Sequence, residues 1–226
     1  MRYQTPLSIL FFVLLTIEII ADSLGYYTIG WICKPLFMPV LLALFWLNNK
    51  DNMPTEKLFF SLALVFSLAG DVLLMLRNDN LFVFGLASFL VAHLCFIASF
   101  YGRIKGRNIP LATVAVSLLP FAAFVGGFLW VLIPNLQANA LTKPLVLPIA
   151  VYACVIGTMG FTALLRKGGV SPQGFTFVMV GALVFMLSDS CIAINRFISP
   201  LPQPTFLIMA TYGIAQYMLT VGTLKK

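Results

Sequence analysis

Long apolar runs occupy most of the chain, and short connections that carry most of the charged residues separate them. An α-helix rises about 1.5 Å per residue, so roughly 20 apolar residues cross a hydrocarbon core about 30 Å thick. Runs of about that length lie at 5–23, 31–48, 57–76, 80–101, 110–131, 145–165, 172–194 and 204–223. The pattern predicts an all-α integral membrane protein with eight transmembrane helices in one polytopic domain, residues 1–226.

The overall composition agrees with a membrane protein. Hydrophobic residues make up 61% of the chain and charged residues 9%, whereas roughly 25% of the residues in an ordinary soluble domain are charged. The mean hydropathy is +1.00. The connections between the apolar runs are too short to hold a soluble domain, so none is expected.

The net charge of +7 is distributed as membrane topology requires, which argues against a nucleic-acid partner. Ten Lys and Arg residues fall on the side of the termini: Arg2, Lys50, Lys57, Arg103, Lys105, Arg107, Arg166, Lys167, Lys225 and Lys226. Three fall on the opposite side, Arg77, Lys143 and Arg196, and Lys34 lies at the mouth of the second helix. Because cytoplasmic loops are enriched in Lys and Arg, both termini are predicted to be cytoplasmic.

One short motif appears twice. Residues 34–39 read Lys-Pro-Leu-Phe-Met-Pro, and residues 143–148 read Lys-Pro-Leu-Val-Leu-Pro. One apolar run after each copy comes an aspartate, Asp71 after a glycine and Asp189 after a serine. Proline in the first turn of a helix is common, so the motif alone could mark two ordinary helix starts. Both lysines, however, lie on the side that is poor in cations, which suggests that they face an anion.

A further pair of segments corresponds between the two halves of the chain. Residues 87–93 in the fourth helix match residues 210–216 in the eighth. Three matches in the same order predict two repeats of four helices, residues 1–104 and 105–226. An even number of helices per repeat inserts both repeats in the same direction, so their pseudo-two-fold axis is expected to follow the membrane normal.

Carboxylates inside the apolar runs indicate a functional site. Three of the seven fall in predicted connections, where we expect them to be solvated: Asp51, Glu56 and Asp79. The other four are Glu18, Asp22, Asp71 and Asp189. An ionisable group inside a span costs several kcal/mol unless it is paired or faces a water-filled cavity. Two carboxylates that share a low-dielectric cavity do not both ionise easily, so one can act as an acid and the other as a base.

Other polar residues are candidates for the same cavity. His93 lies near the middle of the fourth helix and is the only histidine, which excludes a zinc site built from several histidines. Its interpretation stays open between a hydrogen bond that packs two helices and a catalytic or proton-relay role. The neutral candidates for hydrogen bonds are Asn195, Tyr212 and Gln216.

The order of these motifs resembles the YhhN family of lysoplasmalogenases. The resemblance rests on residues 34–39, on Gly70-Asp71, on the segment from Phe84-Gly85 through His93 and on Ser188-Asp189, and it covers essentially the whole chain. It implies a hydrolase that cleaves the vinyl ether bond of lysoplasmalogens to a fatty aldehyde and glycerophosphoethanolamine or glycerophosphocholine, without a metal or another cofactor. The family's proposed catalytic aspartates correspond to Asp71 and Asp189.

The resemblance suggests how a lysophospholipid would be held. Lys34 and Lys143 would bind the phosphate, and Glu18 or Asp22 would face the ethanolamine or choline cation. The single hydrocarbon chain would lie between helices with its tail toward the cytoplasmic half. Its walls would be rich in phenylalanine, namely Phe59, Phe60, Phe82, Phe84 and Phe89.

Alternatives to this hydrolase remain. A small proton- or cation-coupled secondary transporter is the main one, because parallel repeats and carboxylates within the membrane also occur in transporters. An intramembrane aspartyl protease is disfavoured, since neither Gly-x-Gly-Asp nor Pro-Ala-Leu is present. A structural scaffold would leave the buried charges unexplained. The short loops suit a bacterial cytoplasmic membrane, whereas the oligomeric state and the head-group preference are not predicted.

Overall fold

A computed structural model describes residues 4–49, 53–76 and 79–225. Four cations of the charge count lie outside these residues: Arg2, Lys50, Arg77 and Lys226. Asp51 and the side chain of Asp79 are also outside what is described. The cytoplasmic location of the termini therefore stays a prediction.

The described residues form helices and short connections, and they contain no strand. The helices are α1 (Gln4–Ser23), α2 (Tyr27–Cys33), α3 (Phe37–Asn48), α4 (Pro54–Met75), α5 (Asp79–Tyr101), α6 (Leu111–Gln137), α7 (Val146–Leu165), α8 (Pro172–Phe197) and α9 (Pro204–Leu224). A 3-10 turn at Lys34–Leu36 joins α2 and α3 into one span, so the described ranges hold eight spans long and apolar enough to cross a membrane. The predicted all-α class with eight membrane-spanning helices is confirmed.

Two predicted helix boundaries are wrong by several residues. The second span begins at Tyr27 rather than at residue 31, and tyrosine is a residue typical of helix ends at a membrane interface. The fifth span ends at Gln137 rather than at residue 131, and it passes through Pro134. Proline removes one backbone hydrogen bond of the helix. A helix in lipid nevertheless continues, because unwinding it would leave further N–H and C=O groups without any hydrogen-bond partner.

The two Lys-Pro-Leu copies form the same local structure. Lys34–Leu36 and Lys143–Leu145 are both 3-10 turns, and each leads directly into an α-helix whose third residue is proline. Proline is tolerated there because the first turn of a helix has no partner for its missing N–H. The motif therefore encodes a matched pair of helix starts, while the two-repeat organisation at 1–104 and 105–226 stays a prediction.

Two tightly packed helix pairs position the site. α4 packs along α5, and α8 packs along α9. A Cβ atom on Gly70 would lie 2.5 Å from the Phe89 ring, and one on Gly181 would lie 3.0 Å from the backbone nitrogen of Leu219, so both pairs approach closely only because these residues are glycines. The C-terminal ends of α1, α4 and α8 lie at the end of the bundle opposite the chain termini, which we call the distal end.

Glu56 is buried, contrary to the prediction that it is solvated. It lies in the first turn of α4, and its Oε2 is 2.7 Å from Nε of Arg103, which follows α5. The two chain segments meet here because Ser99 Oγ donates a hydrogen bond to the Glu56 carbonyl. Arg166 is buried nearby with its guanidinium 5.1 Å from the centre of the Phe100 ring, and burial lowers the pKa of Arg166 to about 10 although Glu56 opposes the shift.

Candidate active site

A cavity of about 730 Å³ lies at the distal end between α4, α5, α8 and α9, and we call it the acid chamber. Its lining comprises Lys34, Asp71, Leu74, Phe82, Phe89, Asp189, Ile192, Asn195, Arg196, Ile208, Met209 and Tyr212. Five polar residues predicted from the sequence therefore line one cavity: Lys34, Asp71, Asp189, Asn195 and Tyr212. The two aspartates come from different helices and meet in the same chamber.

Asp71 is 3% exposed and receives its hydrogen bond from α9. The Tyr212 hydroxyl donates to Asp71 Oδ2 over 2.8 Å. Gln216, one helical turn further along α9, donates from Nε2 to Ser67 Oγ over 2.9 Å and lies 3.4 Å from the Tyr212 hydroxyl. Because Tyr212 and Gln216 are four residues apart, they share one face of α9 and hold Asp71 as a unit.

Asp189 contacts two potential hydrogen-bond donors at a single oxygen. The Tyr152 hydroxyl donates to Asp189 Oδ2 over 2.5 Å, and His93 Nε2 lies 3.1 Å from the same oxygen. His93 Nε2 is also 3.0 Å from the Tyr152 hydroxyl, and its Nδ1 is 3.3 Å from the sulfur of Met159. The His93 ring is fully buried and packs edge-on against Phe185.

Each aspartate is supported by a helix of the opposite half of the chain. Asp71 on α4 is held from α9, whereas Asp189 on α8 is held in part from α5. His93 and Gln216 occupy equivalent positions in the matched segments 87–93 and 210–216. Both aspartates are therefore contacted by a helix from the other half of the sequence, and Asp189 is also contacted by Tyr152 of its own half.

A second cavity of about 850 Å³ adjoins the acid chamber, and we call it the polar chamber. It is lined in part by Glu18 and Asp22 of α1, by Trp31 and by Lys34, which also lines the acid chamber. Asp22 Oδ2 accepts a hydrogen bond from Thr205 over 2.8 Å. Glu18 is buried, and its Oε2 has no hydrogen-bond partner within the described residues. A buried carboxylate oxygen beside a lysine and an indole ring can receive a cationic group.

A third cavity of about 690 Å³ adjoins the acid chamber on the side of α6 and α7, and we call it the apolar chamber. Side chains of α4 to α8 line it, and the polar ones are Tyr152, Asp189 and Ser190. It shares five lining residues with the acid chamber: Leu74, Phe82, Phe89, Asp189 and Ile192. Asp189 therefore lies where the acid chamber meets the apolar chamber.

Several predicted residues lie outside these three cavities. Lys143 is exposed and belongs to none of their linings. His93 and Gln216 are buried behind the chambers. His93 contacts the lining residues Asp189 and Tyr152, and Gln216 contacts Tyr212. Of the predicted phenylalanine walls, Phe82 and Phe89 line the chambers, whereas Phe60 packs in the core against Phe45 and Phe96 and Phe84 is 63% exposed.

Two residues of the site are not indicated by the sequence: Tyr152, which donates a hydrogen bond to Asp189, and Ser67, which accepts one from Gln216. Both lie inside apolar runs, where a tyrosine or serine is easily counted as ordinary helix packing. A buried tyrosine hydroxyl nevertheless needs a hydrogen-bond partner, so Tyr152 could have been noted as a candidate on that ground. Its partner could not be named without the packing of α7 against α5 and α8.

Metal-binding side chains do not cluster in the part of the chain that the structure describes. No group of three or more His, Cys, Asp or Glu side chains is close enough there to hold an ion. The single histidine is engaged with Asp189 and Tyr152. What the distal end offers chemically is a pair of carboxylates, one lysine between two polar cavities and an adjoining apolar space.

Several known proteins are similar in sequence to this chain. Lysoplasmalogenase TMEM86A of Bos taurus is 33% identical over 165 residues, which are 72% of this chain and 63% of that protein. Lysoplasmalogenase of Mycobacterium tuberculosis is 35% identical over 161 residues, which are 71% of this chain and 58% of that protein. Lysoplasmalogenase TMEM86B of Homo sapiens is 29% identical over 224 residues, which are 99% of this chain and 87% of that protein.

The alignment with TMEM86A thus spans less than two thirds of the length of that relative. No solved structure matches the chain. The model of the YhhN family matches residues 29–223, which include both Lys-Pro-Leu segments and both aspartates. This chain therefore belongs to the YhhN family.

Proposed function

We propose that this chain is a membrane-embedded hydrolase that cleaves the vinyl ether bond of lysoplasmalogens. The products are a fatty aldehyde and glycerophosphoethanolamine or glycerophosphocholine. The observation that carries the proposal is that Asp71 and Asp189 line one chamber between a polar and an apolar cavity. Relatives named lysoplasmalogenase support the choice of substrate.

The two aspartates are sufficient for the reaction. One carboxylic acid donates a proton to the vinyl carbon remote from the oxygen, which leaves an oxocarbenium ion. Water adds to this ion and gives a proton to the second carboxylate, which forms a hemiacetal. In the collapse, the second carboxyl group protonates the departing glycerol oxygen while the first takes the proton of the hemiacetal hydroxyl. Both side chains return to their starting states, and the net reaction consumes one water.

Hydrogen bonding distinguishes the two carboxyl groups. The Tyr152 hydroxyl donates to Asp189 Oδ2, and His93 Nε2 lies within hydrogen-bond distance of the same oxygen. Donors at a carboxylate oxygen stabilise its charged form. Asp71 has the Tyr212 hydroxyl as its donor and is almost fully buried. We assign Asp71 the role of proton donor, while Asp189 stabilises the oxocarbenium ion and activates water.

The polar chamber is suited to a zwitterionic head group. Lys34 lies at its junction with the acid chamber and is placed to bind the phosphate. Glu18 and Asp22 line the same space and would face the ammonium group, and Trp31 adds an aromatic face for a quaternary cation. Asn195 lines both chambers and is a further polar contact. Lys143 has no place in this arrangement because it lies outside the chambers.

The absence of a metal requirement and a bacterial cytoplasmic membrane location are parts of the proposal. The acid–base pair supplies both a proton donor and a charge stabiliser, so the mechanism assigns no step to an ion. Treating the purified protein with a chelator tests this point. Unchanged aldehyde release is expected, and loss of activity that a divalent metal restores would contradict it.

The function is tested with the purified protein in detergent and a defined lysoplasmalogen. Release of fatty aldehyde and of the glycerophospho-base in equal amounts is expected. The matched 1-acyl and saturated 1-alkyl lysophospholipids are controls that should yield no product, because they lack the carbon that accepts the proton. Proton-coupled uptake into vesicles without product would instead favour the small secondary transporter.

A further inference from the structure

We propose that the apolar chamber binds the single hydrocarbon chain of the substrate and limits its length. This inference rests on the proposed function, because that function supplies a lipid with one chain. The chamber itself and its junction with Asp189 are features of the structure. The inference identifies where the chain lies and which residues set its limit.

The position of Asp189 connects the chamber to the chemistry. Asp189 lines both the acid chamber and the apolar chamber. A vinyl ether is the first functional group of the hydrocarbon chain, so a chain in the apolar chamber has its reactive end at this junction. Tyr152 also lines the apolar chamber, and its hydroxyl donates a hydrogen bond to Asp189. The remainder of the chain then meets the aliphatic and aromatic side chains deeper in the chamber.

The inner end of the chamber is closed at Gly160. A Cβ atom on Gly160 would lie 2.5 Å from the Phe121 ring and 2.9 Å from the Met186 sulfur, so both side chains sit directly on this glycine. Met186 lines the chamber, and Ile156 lies one turn from Gly160 on the same helix and also lines it. These packed side chains form a floor beyond which a chain cannot extend without displacing them.

The outer end is closed by a separate set of contacts. The Phe82 and Phe197 rings pack edge to face with 5.9 Å between their centres. Ile149 lines the chamber and belongs to a buried cluster with Leu132 and Leu136 of α6. A chain that enters beside Asp189 therefore turns inward toward Gly160 rather than outward.

One chain fits the chamber better than two. Phe124 and Phe128 of α6 stack with 6.1 Å between their centres and form one wall, and Phe124 is itself 41% exposed on the outer surface. The wall toward α6 is thus one aromatic layer thick.

The preference for the length of the hydrocarbon chain depends on steric fit in the apolar chamber rather than on hydrophobic transfer. The chain leaves a membrane or detergent micelle that is as apolar as the chamber, so added methylene groups gain little from transfer. A chain longer than the chamber must instead displace close-packed side chains, and overpacking of this kind disfavours it by about tenfold or more. The enzyme is therefore expected to discriminate against chains above a limit.

The experiment uses two substitutions that change the chamber in opposite directions. Ala153→Phe fills space in the lining of α7, whereas Ile156→Ala adds space near the floor. Val151→Phe is the matched control, because Val151 lies on the same helix but is 44% exposed and outside the lining. A mixture of lysoplasmalogens with chains from about 8 to about 18 carbons is hydrolysed in one reaction, and the ratios of the aldehydes give relative kcat/KM.

The expected result is a shift of the length limit in opposite directions. Ala153→Phe should lower the relative kcat/KM of the longest chains by about tenfold compared with the wild type. Ile156→Ala should extend the limit to longer chains, and Val151→Phe should leave it unchanged. An unchanged limit in Ile156→Ala overturns the proposal even where Ala153→Phe does not fold. A shift in Val151→Phe as large as that in Ala153→Phe also overturns it.

A binding measurement separates this inference from the proposed function. Saturated 1-alkyl lysophospholipids of the same lengths carry no vinyl ether, and their stabilisation of the protein against thermal unfolding reports binding alone. If the length limit and its shifts appear in binding while no aldehyde forms, the chain site stands and the proposed reaction fails. If aldehyde forms but neither readout depends on these substitutions, the reaction stands and the chain site is overturned.

Discussion

His93 Nε2 lies 3.1 Å from Asp189 Oδ2, although the two residues are 96 positions apart in the chain. The other ring nitrogen, Nδ1, lies 3.3 Å from the sulfur of Met159. Because His93 is fully buried and does not line the acid chamber, it can act on the site through Asp189 and Tyr152. We therefore regard His93 as a positioning residue rather than a group that touches the substrate.

Loss of the His93 contact should lower kcat and leave KM nearly unchanged. His93→Phe keeps an aromatic ring but removes a donor from Asp189, and a hydrogen bond to a charged group corresponds to about 10- to 100-fold in rate. His93→Gln retains an N–H donor and should recover part of the loss. The measurement is steady-state kinetics of aldehyde release together with its pH profile, in which His93→Phe should differ from the wild type and His93→Gln should lie between them. A change confined to KM would contradict a role through Asp189.

Replacing either catalytic aspartate by asparagine should abolish aldehyde release. Asp71→Asn removes the proposed proton donor, and Asp189→Asn removes the charge that stabilises the oxocarbenium ion. Asparagine preserves the volume of the side chain and can accept the hydrogen bond of Tyr212 or Tyr152, so expression, elution as a single species and thermal unfolding should change little. Full activity in either variant would contradict the acid–base pair.

The sequence predicted how deep the polar residues lie along their helices better than it predicted the direction in which their side chains point. Spacing along apolar runs placed Asp71, Asp189 and Lys34 near one end of the bundle, and all three line one chamber. Which way a side chain points around a helix axis depends on the neighbours of that helix, which a single apolar run does not reveal. For that reason the same reasoning placed Lys143 in the site, although it lies on the surface.

The identity of hydrogen-bond partners was also beyond the sequence. Tyr152 and His93 belong to different apolar runs, and nothing in their spacing shows that they meet at Asp189. Glu56 is a second example. Its position at a helix start predicted that it is solvated, but in the structure it pairs with Arg103, which follows α5. In both cases the deciding information is long-range packing, whereas the eight spans follow from local hydrophobicity alone.

The two lysines of the repeated motif should behave differently when each is changed to glutamine. Lys34→Gln removes the cation at the junction of the polar and acid chambers, so KM should rise by about tenfold or more with a smaller effect on kcat. Lys143→Gln is the matched control, since it changes the same residue in the same motif outside the chambers, and its KM should equal that of the wild type. The measurement is KM for lysoplasmalogen at fixed detergent concentration. Equal effects of both substitutions would contradict phosphate binding by Lys34.

Glu56→Gln should destabilise the fold while leaving the chemistry intact. Glu56 is the carboxylate that pairs with Arg103, and Arg166 is buried beside the pair. Removal of one partner of a buried ion pair leaves an uncompensated charge and costs about 3 kcal/mol. The temperature of thermal unfolding should therefore fall, and substituting the exposed Lys105 by glutamine provides a control at the same end of the bundle. Aldehyde release per folded molecule should stay near the wild-type value, because the pair lies at the end of the bundle opposite the acid chamber. An unchanged unfolding temperature would show that the pair does not stabilise the protein.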